Sequence, residues 1–224
     1  MITVSKEDYL KTILEAETEG ETVISARLAH LLKVSPPAVT MALRRLKKDG
    51  LVRVSASGEV SLTPAGRNIA RKLTLRHHLI ERMLSEMFGM EWWKVHDEAE
   101  RLEHAVSPDF ESKLLARLGS GEACPHGNLS EIESSASRRR RGLVLLADAD
   151  LDTNYNVSGI YERDRGLLEF LEHRGVRPGA KLRVLERNYD QTLTLTTPEG
   201  TVSLGPAASE RVWLSPAGRG KRGQ

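Results

Sequence analysis

"SPPAVTMALRRLKKDG", Ser35 to Gly50, decides how this chain is read. A serine able to cap a helix precedes two prolines, and proline is tolerated in a first helical turn because the N–H it lacks has no partner there. Val39, Leu43 and Leu46 recur at helical spacing and form an inner stripe. Gly50 stands where a helix ends. Arg44, Arg45, Lys47 and Lys48 occupy the other side. Upstream, "ISARLAHLL" reads as a short helix capped by Ser25, with Leu28, Leu31 and Leu32 inward, and "KVS" as the turn between the two. Further upstream, "KEDYLKTILEAE" reads as a helix capped by Ser5 and stopped by Gly20, with Tyr9, Leu10, Ile13 and Leu14 on one face. Downstream, "LVRVSASGEVSLT" reads as two short strands around a Ser-Gly turn. Helix, helix, turn, helix, hairpin is the order of a winged helix-turn-helix.

That order predicts a double-stranded DNA reader over residues 1–64. Ser35, Pro37, Ala38, Thr40 and Met41 lie at the end of the recognition helix that reaches base edges. Arg44, Arg45, Lys47, Lys48 and the hairpin's Arg53 supply charge for phosphates. The competing reading, cations solvating an exposed helix, fits the charges but not the order of elements.

Composition frames the rest. The chain has 224 residues, 39% of them hydrophobic and 29% charged, which is enough for more than one small core. No apolar run is long enough to span a bilayer. The opening "MITVSKEDYLKT" carries Glu7 and Asp8 and lacks the apolar stretch of a signal peptide. One cysteine, Cys124, cannot make an internal disulfide, so a cytoplasmic setting is expected. The net charge of +2 is unevenly spread. Residues 1–73 hold 12 Lys/Arg against 8 Asp/Glu, residues 74–140 hold 9 against 12, and residues 141–224 hold 12 against 11. Five of the 7 histidines fall between His77 and His126. A basic head and an acidic, histidine-bearing middle predict different partners.

The middle reads as helices. "TPAGRNIARKLTLRHHLIERMLSEMFG" runs as one helix from a Thr63 cap to Gly89, with His77 and Glu81 one turn apart on a shared face. His78 points about 100° away from His77 and is expected at the surface or the core edge. A following helix from Glu91 holds "KVHDEAERLEH", in which His96, Glu100, Glu103 and His104 share a face. Acids alone would suit a water-facing helix; two histidines on the same stripe match metal-ligand chemistry. "SPDFESKLLARLG" is a shorter helix, and "ACPHGN" sets Cys124 and His126 around one proline. Broad apolar faces on these helices suit a homodimer.

These fragments together resemble the metal-dependent repressors of the diphtheria-toxin-repressor type, nearest to the three-domain manganese-type members. The resemblance is carried by "EDYLKTI", "SPPAVTMALRRLKKDGLV", "LTPAGR", "RHHLIER", "VHDEAERLEH" and "CPHGN", and extends more weakly into the last third. It implies a principal metal site of Asp8, His77, Glu100, Glu103 and His104. It implies a second site of Glu81, Cys124, His126 and Glu162, with Asp164 the alternative acid, and His96 as an ancillary ligand. Iron-sensing members usually have methionine at the place of Asp8 and cysteine at that of Glu100, so the two carboxylates here favour Mn²⁺ over Fe²⁺. Two-ion members carry a further acid one turn after Asp8, where this chain has Lys11. The function implied is a metal-activated dimeric repressor of metal-uptake genes, with no organic cofactor and no membrane. The other classes open at this point are a metal-independent winged-helix regulator and a metallohydrolase.

In the last third, 141–152 has linker composition, and the Arg138–Arg141 run reads as linker or helix end. "RDRGLLEFLEHRGVRPG" reads as a helix stopped by Gly175; "AKLRVLER", "TLTLTT", "TVSLGP" and "ERVWL" alternate as strands. The fold expected is therefore mostly α with small β: a winged helix-turn-helix (1–64), a helical metal-binding and dimerisation domain (65–140), the linker, an SH3-like barrel (153–215) and a disordered tail (216–224).

Overall fold

The recognition segment folds as its pattern demands. In the computed structural model, which describes residues 4–119, 122–129 and 132–217 (the side chains of Val4 and Ser5 excepted), Pro36–Lys48 is helix α3. It follows α1 (Val4–Thr18) and α2 (Ser25–Leu31) and is succeeded by strands β1 (Val52–Val54) and β2 (Val60–Leu62). The strands pair antiparallel in the register Arg53–Ser61. Leu10, Ile13, Leu28, Val39 and Leu46 are fully buried together, and emptying one such position, as in Leu46→Ala, costs about 3 kcal/mol. Two expected caps differ. Ser5 lies inside α1, and Ile24 rather than Ser25 precedes α2.

Helix α4 (Pro64–Arg82) leaves this head with Thr63 capping its first turn by accepting from the Gly66 amide. A Cβ on Gly66 would stand 2.1 Å from the Leu51 carbonyl oxygen, so only glycine lets the helix start so close to the hairpin. The expected single helix to Gly89 changes pitch: Met83–Met87 is a π turn, a form found often at functional sites. The following helix, α5 (Val95–Leu102), begins four residues later than Glu91, and α6 (Pro108–Leu118) is capped by Ser107. Leu79, Ile80, Val95, Ala99 and Leu114 form the core of this middle part.

The Arg138–Arg141 segment is largely the end of helix α7 (Ser135–Arg140), and Arg138, Arg139 and Arg141 have partners. Arg138 and Arg139 lie over the Trp213 ring, and Arg139 also pairs with Asp148 at 3.2 Å. The supposed linker also carries structure: β3 (Val144–Leu145) pairs with β8 (Val212–Pro216), and Leu146 is fully buried. Between them come β4 (Asn154–Ile160), α8 (Arg165–Glu172), β5 (Lys181–Arg187), β6 (Leu193–Thr197), β7 (Gly200–Leu204) and the short α9 (Pro206–Ser209). The strands form an antiparallel sheet in the order β3-β8-β4-β5-β6-β7, curled around Val157, Ile160, Leu182, Val184, Leu195 and Leu214 as an SH3-like barrel. Pro216, placed in the tail by composition, belongs to β8; 218–224 lie outside the described residues. The architecture is thus mostly α with small β, in three parts as expected.

Candidate metal centre

Two helices meet at the first cluster. Asp8 comes from the second turn of α1; Glu103 caps the C-terminus of α5 and His104 lies in the turn that follows. His104 Nε2 lies 2.9 Å from Asp8 Oδ1 and 3.6 Å from Glu103 Oε1, and ligand atoms of all three fall within 4.8 Å of one another. The other face of the His104 ring is held by Glu7, whose Oε2 lies 2.8 Å from Nδ1. Burial pushes the Asp8 carboxyl up, with His104 acting against it. Glu103 moves down: burial opposes the charge, but His77 and Lys11 prevail.

The second cluster draws on the middle domain and the barrel. Glu81 lies on α4, Cys124 and His126 on a tight loop, and Glu162 just after β4. His126 Nδ1 is 3.4 Å from Glu81 Oε2, 3.8 Å from Glu162 Oε2 and 3.7 Å from Cys124 Sγ, and Cys124 Sγ is 3.6 Å from Glu162 Oε2. The expected foursome lies in one place, but the ligand atoms that all fall within 4.8 Å of one another are those of His78, Glu81, Cys124 and Glu162, with His126 beside them. The loop is pinned by its backbone, since Cys124 N–H donates to Asn128 O at 2.8 Å and Ile160 N–H to His126 O at 2.9 Å. Burial, then the charges of Glu81 and Glu162, push the Cys124 thiol well above its usual range. Glu81 is held well below its usual range, the nearby His126 and His77 outweighing burial. Asp164 caps α8 by accepting from the Leu167 amide at 3.0 Å, which leaves Glu162 as the acid of this cluster.

His77 joins the two clusters. Its Nδ1 is 2.6 Å from Glu103 Oε2, while its Nε2 is 2.9 Å from Glu81 Oε1 and 3.0 Å from His96 Nδ1. Its ligand atoms group with Glu81, His96 and Glu162, not with Asp8, so the expected primary set of five does not converge as one. Glu100 is also set apart. Its Oε1 is 3.5 Å from His96 Nε2, and that contact lowers it to about 2, burial opposing. His96 is buried and central: despite its burial, contacts with Glu100 and Glu81 raise it to about 10.

His78 corrects the sequence reading outright. It is 3% exposed, and its Nε2 lies 3.5 Å from Glu162 Oε1. The expectation assumed that α4 buries one face; the barrel covers the other, so both members of the His-His pair are inside. Glu7, next to Asp8, is a site residue that the sequence reading does not single out, and its adjacency is the only signal.

The donor set fits a divalent ion. Two buried ring nitrogens, His126 Nε2 and His78 Nδ1, have no hydrogen-bond partner among the described residues, which costs energy unless something binds there. The first cluster offers oxygen and imidazole only; the second adds a thiol.

The reading surface lies apart from both clusters. Ser35, Pro37, Ala38, Thr40, Met41, Arg44, Arg45, Lys47 and Arg53 are all exposed, with Val39, Leu43 and Leu46 turned inward. None of Arg44, Arg45, Lys47, Lys48 and Arg53 has an ion-pair partner within 4.0 Å among the described residues, so their charge is available to phosphates. Thr40 Oγ1 donates to the Pro36 carbonyl at 3.1 Å.

Comparison with known proteins agrees in all three parts. Residues 1–60 match the iron-dependent repressor N-terminal DNA-binding domain, residues 63–130 the iron-dependent repressor metal-binding and dimerisation domain, and residues 144–216 the FeoA domain. The diphtheria toxin repressor of Corynebacterium glutamicum is 41% identical over 197 residues, covering 84% of this chain and 86% of that protein. The iron-dependent repressor IdeR of Mycobacterium tuberculosis is 32% identical over 219 residues, covering 93% and 91%. A manganese-dependent transcriptional repressor solved in complex with manganese superposes with a TM-score of 0.82 at 31% identity, covering 95% of this chain and 100% of that one. ScaR with bound Zn²⁺ gives a TM-score of 0.78 at 28% identity, covering 95% and 99%.

Proposed function

This chain belongs to the family of metal-dependent transcriptional repressors that includes the diphtheria toxin repressors and IdeR, and from that premise we propose which of its residues carry the response and to which ion. It is a divalent-metal-dependent, DNA-binding repressor and not an enzyme. Asp8, Glu103 and His104 hold the regulatory ion, and Glu81, Cys124, His126 and Glu162 hold a second, with His96, His77 and His78 packed between and around them. The observation that carries this reading is the convergence of Asp8 from α1 with Glu103 at the C-terminus of α5 and His104 in the turn that follows. A ligand pair split between the DNA-reading head and the middle domain can couple metal to DNA.

When bound, the ion supplies positive charge that offsets the repulsion between Asp8 and Glu103. The residues do the rest. Glu7 orients the His104 ring through Nδ1 and leaves Nε2 directed at Asp8. Docking of α1 then fixes the position of α3, whose exposed face reads the major groove. Two copies present two such faces; exposed Met87, Phe88 and Phe110 on the middle domain supply an apolar surface for the homodimer. Paired half-sites about 34–36 Å apart suit that arrangement. Coupling is reciprocal, so operator DNA tightens metal binding in turn. The genes controlled are those of metal uptake.

Oxygen and imidazole donors in the first cluster support Mn²⁺ as the ion. Fe²⁺ is the second reading, favoured by the iron-dependent repressors among its relatives. The test selects a duplex from a random pool with Mn²⁺ present and measures its binding by anisotropy with Mn²⁺, with Fe²⁺ under argon, and with chelator. Binding should tighten by about tenfold or more with the favoured ion, and Glu103→Ala should lose that response. Binding indifferent to metal overturns the proposal.

A further inference from the structure

Lys11 stands one turn after Asp8 on α1 and is only 6% exposed. Its Nζ donates to both carboxylate oxygens of Glu103, at 3.1 Å and 2.9 Å, and lies 3.0 Å from His77 Nδ1. The Glu103 carboxylate thus has a different neighbour on each side. Its Oε1 lies 3.6 Å from His104 Nε2, with Asp8 within 4.8 Å; both its oxygens meet the buried Lys11 ammonium, and Oε2 also lies 2.6 Å from His77 Nδ1. A carboxylate set between two such positions is how a protein bridges two cations. Here a cation tethered to α1 fills the inner position.

Resting on the assignment of Asp8, Glu103 and His104 as ligands, we propose that Lys11 is a resident cation of the first centre: its ammonium takes the place of a second metal ion beside Glu103. Three consequences follow from the geometry. The centre admits one divalent ion, because the inner side of Glu103 is filled by a group that cannot leave. The ion that binds does so against the repulsion of a nearby positive charge, so its affinity is set lower than the ligands alone would give. The Lys11–Glu103 pair also ties α1 to the end of α5 before metal arrives, so part of the docking is metal-independent. An ammonium suits this position because it is a compact charge that donates to several acceptors at once. Lys11→Arg would not reproduce it, since the planar guanidinium is larger and directs its donors elsewhere.

The experiment counts Mn²⁺ ions per chain in the full-length protein by native mass spectrometry, alongside Mn²⁺ electron paramagnetic resonance. Wild type should hold two ions per chain, one in each cluster, and Asp8→Ala should lose one of them. Lys11→Glu should hold three and show the exchange-coupled spectrum of two carboxylate-bridged ions. Lys11→Gln should keep two and bind the first-centre ion several-fold more tightly. Folding of each variant is checked by thermal melting. Three ions in wild type, or an unchanged count in folded Lys11→Glu, overturns the proposal. Should Lys11→Glu fail to fold, Lys11→Gln decides alone, and equal or weaker affinity overturns it. If Asp8→Ala retains both ions, the ligand assignment itself fails and the role of Lys11 with it. An ion lost in Asp8→Ala but none gained in Lys11→Glu sinks only the role of Lys11.

Discussion

Arg163 Nη1 lies 2.6 Å from Glu15 Oε2, so the residue immediately after the second-cluster ligand Glu162 grips the helix that carries Asp8. Both side chains are largely buried, and Glu15 raises the Arg163 guanidinium further, burial opposing. The barrel is thereby attached to the DNA-reading head through a charged contact next to a metal ligand. Arg163→Ala should lower unfolding stability by about 1 kcal/mol, the usual size for a partly exposed pair. It should also raise the Mn²⁺ concentration needed for half-maximal DNA binding while leaving the number of bound ions unchanged. Chemical denaturation and anisotropy titration check the two parts separately. An unchanged metal requirement would show that this contact does not transmit occupancy of the second cluster.

The contact between buried His96 and the more exposed Glu100 predicts how the metal-free protein responds to pH. His96 is raised to about 10, so its stabilisation is fully present below the ordinary histidine value of 6.5 and is lost as pH rises toward 10. Glu100 is lowered to about 2, so its stabilisation is present above 4.5 and is lost as pH falls toward 2. The pair therefore contributes most between pH 4.5 and 6.5. Urea unfolding in chelator, from acid to mildly alkaline pH, should show stability declining above pH 6.5, and His96→Gln should flatten that decline. A decline of the same slope in the variant would assign it to other groups.

Gly127 holds the second cluster together through backbone geometry. Its φ is +82°, and a Cβ there would stand 2.1 Å from the Ser158 carbonyl oxygen on β4. Gly127→Ala must push the Cys124–His126 loop off the strand that leads to Glu162. One ion per chain should be lost, with a destabilisation of about 2 kcal/mol or more, while the first cluster keeps its ion. Retention of both ions in native mass spectra would contradict this.

The exposed cations of α3 and the hairpin should act through phosphates. Replacing Arg45 or Arg53 with alanine should weaken binding to every duplex alike. Each phosphate left without its cation should flatten the log–log salt dependence of affinity by about 0.9. Met41→Ala, nearer the end that reaches base edges, should instead alter preference among duplexes with little change in slope. Salt titrations on a selected and a scrambled duplex separate the two behaviours.

The winged helix-turn-helix is legible in the sequence because its information is local. The Ser-Pro-Pro start, the Val39–Leu43–Leu46 stripe and the Ser-Gly turn each act over a few residues. The barrel is half legible. Strands β5 to β8 show alternation, but β4 is not legible as a strand because Asn154, Asn156, Ser158 and Gly159 mask the buried Tyr155, Val157 and Ile160. The α7 arginines are legible as a helix end, but nothing in their own segment announces Trp213, which lies far along the chain.

The sequence by itself determined the ligand types and most of the helices that bear them, because periodicity and side-chain chemistry are properties of short segments. Only the tertiary structure decided which ligands meet. Asp8, His77, Glu103, His126 and Glu162 come from separate elements, and their distances depend on how α1, α4, α5 and β4 rotate and pack against one another. Burial of α4 on two sides brought His78 inward. The same packing turned His77 from a first-cluster ligand into the link between clusters and set the Lys11 ammonium against Glu103. Helical spacing gives the direction of a side chain around its own axis; the neighbour it meets there is fixed by the packing of the whole chain.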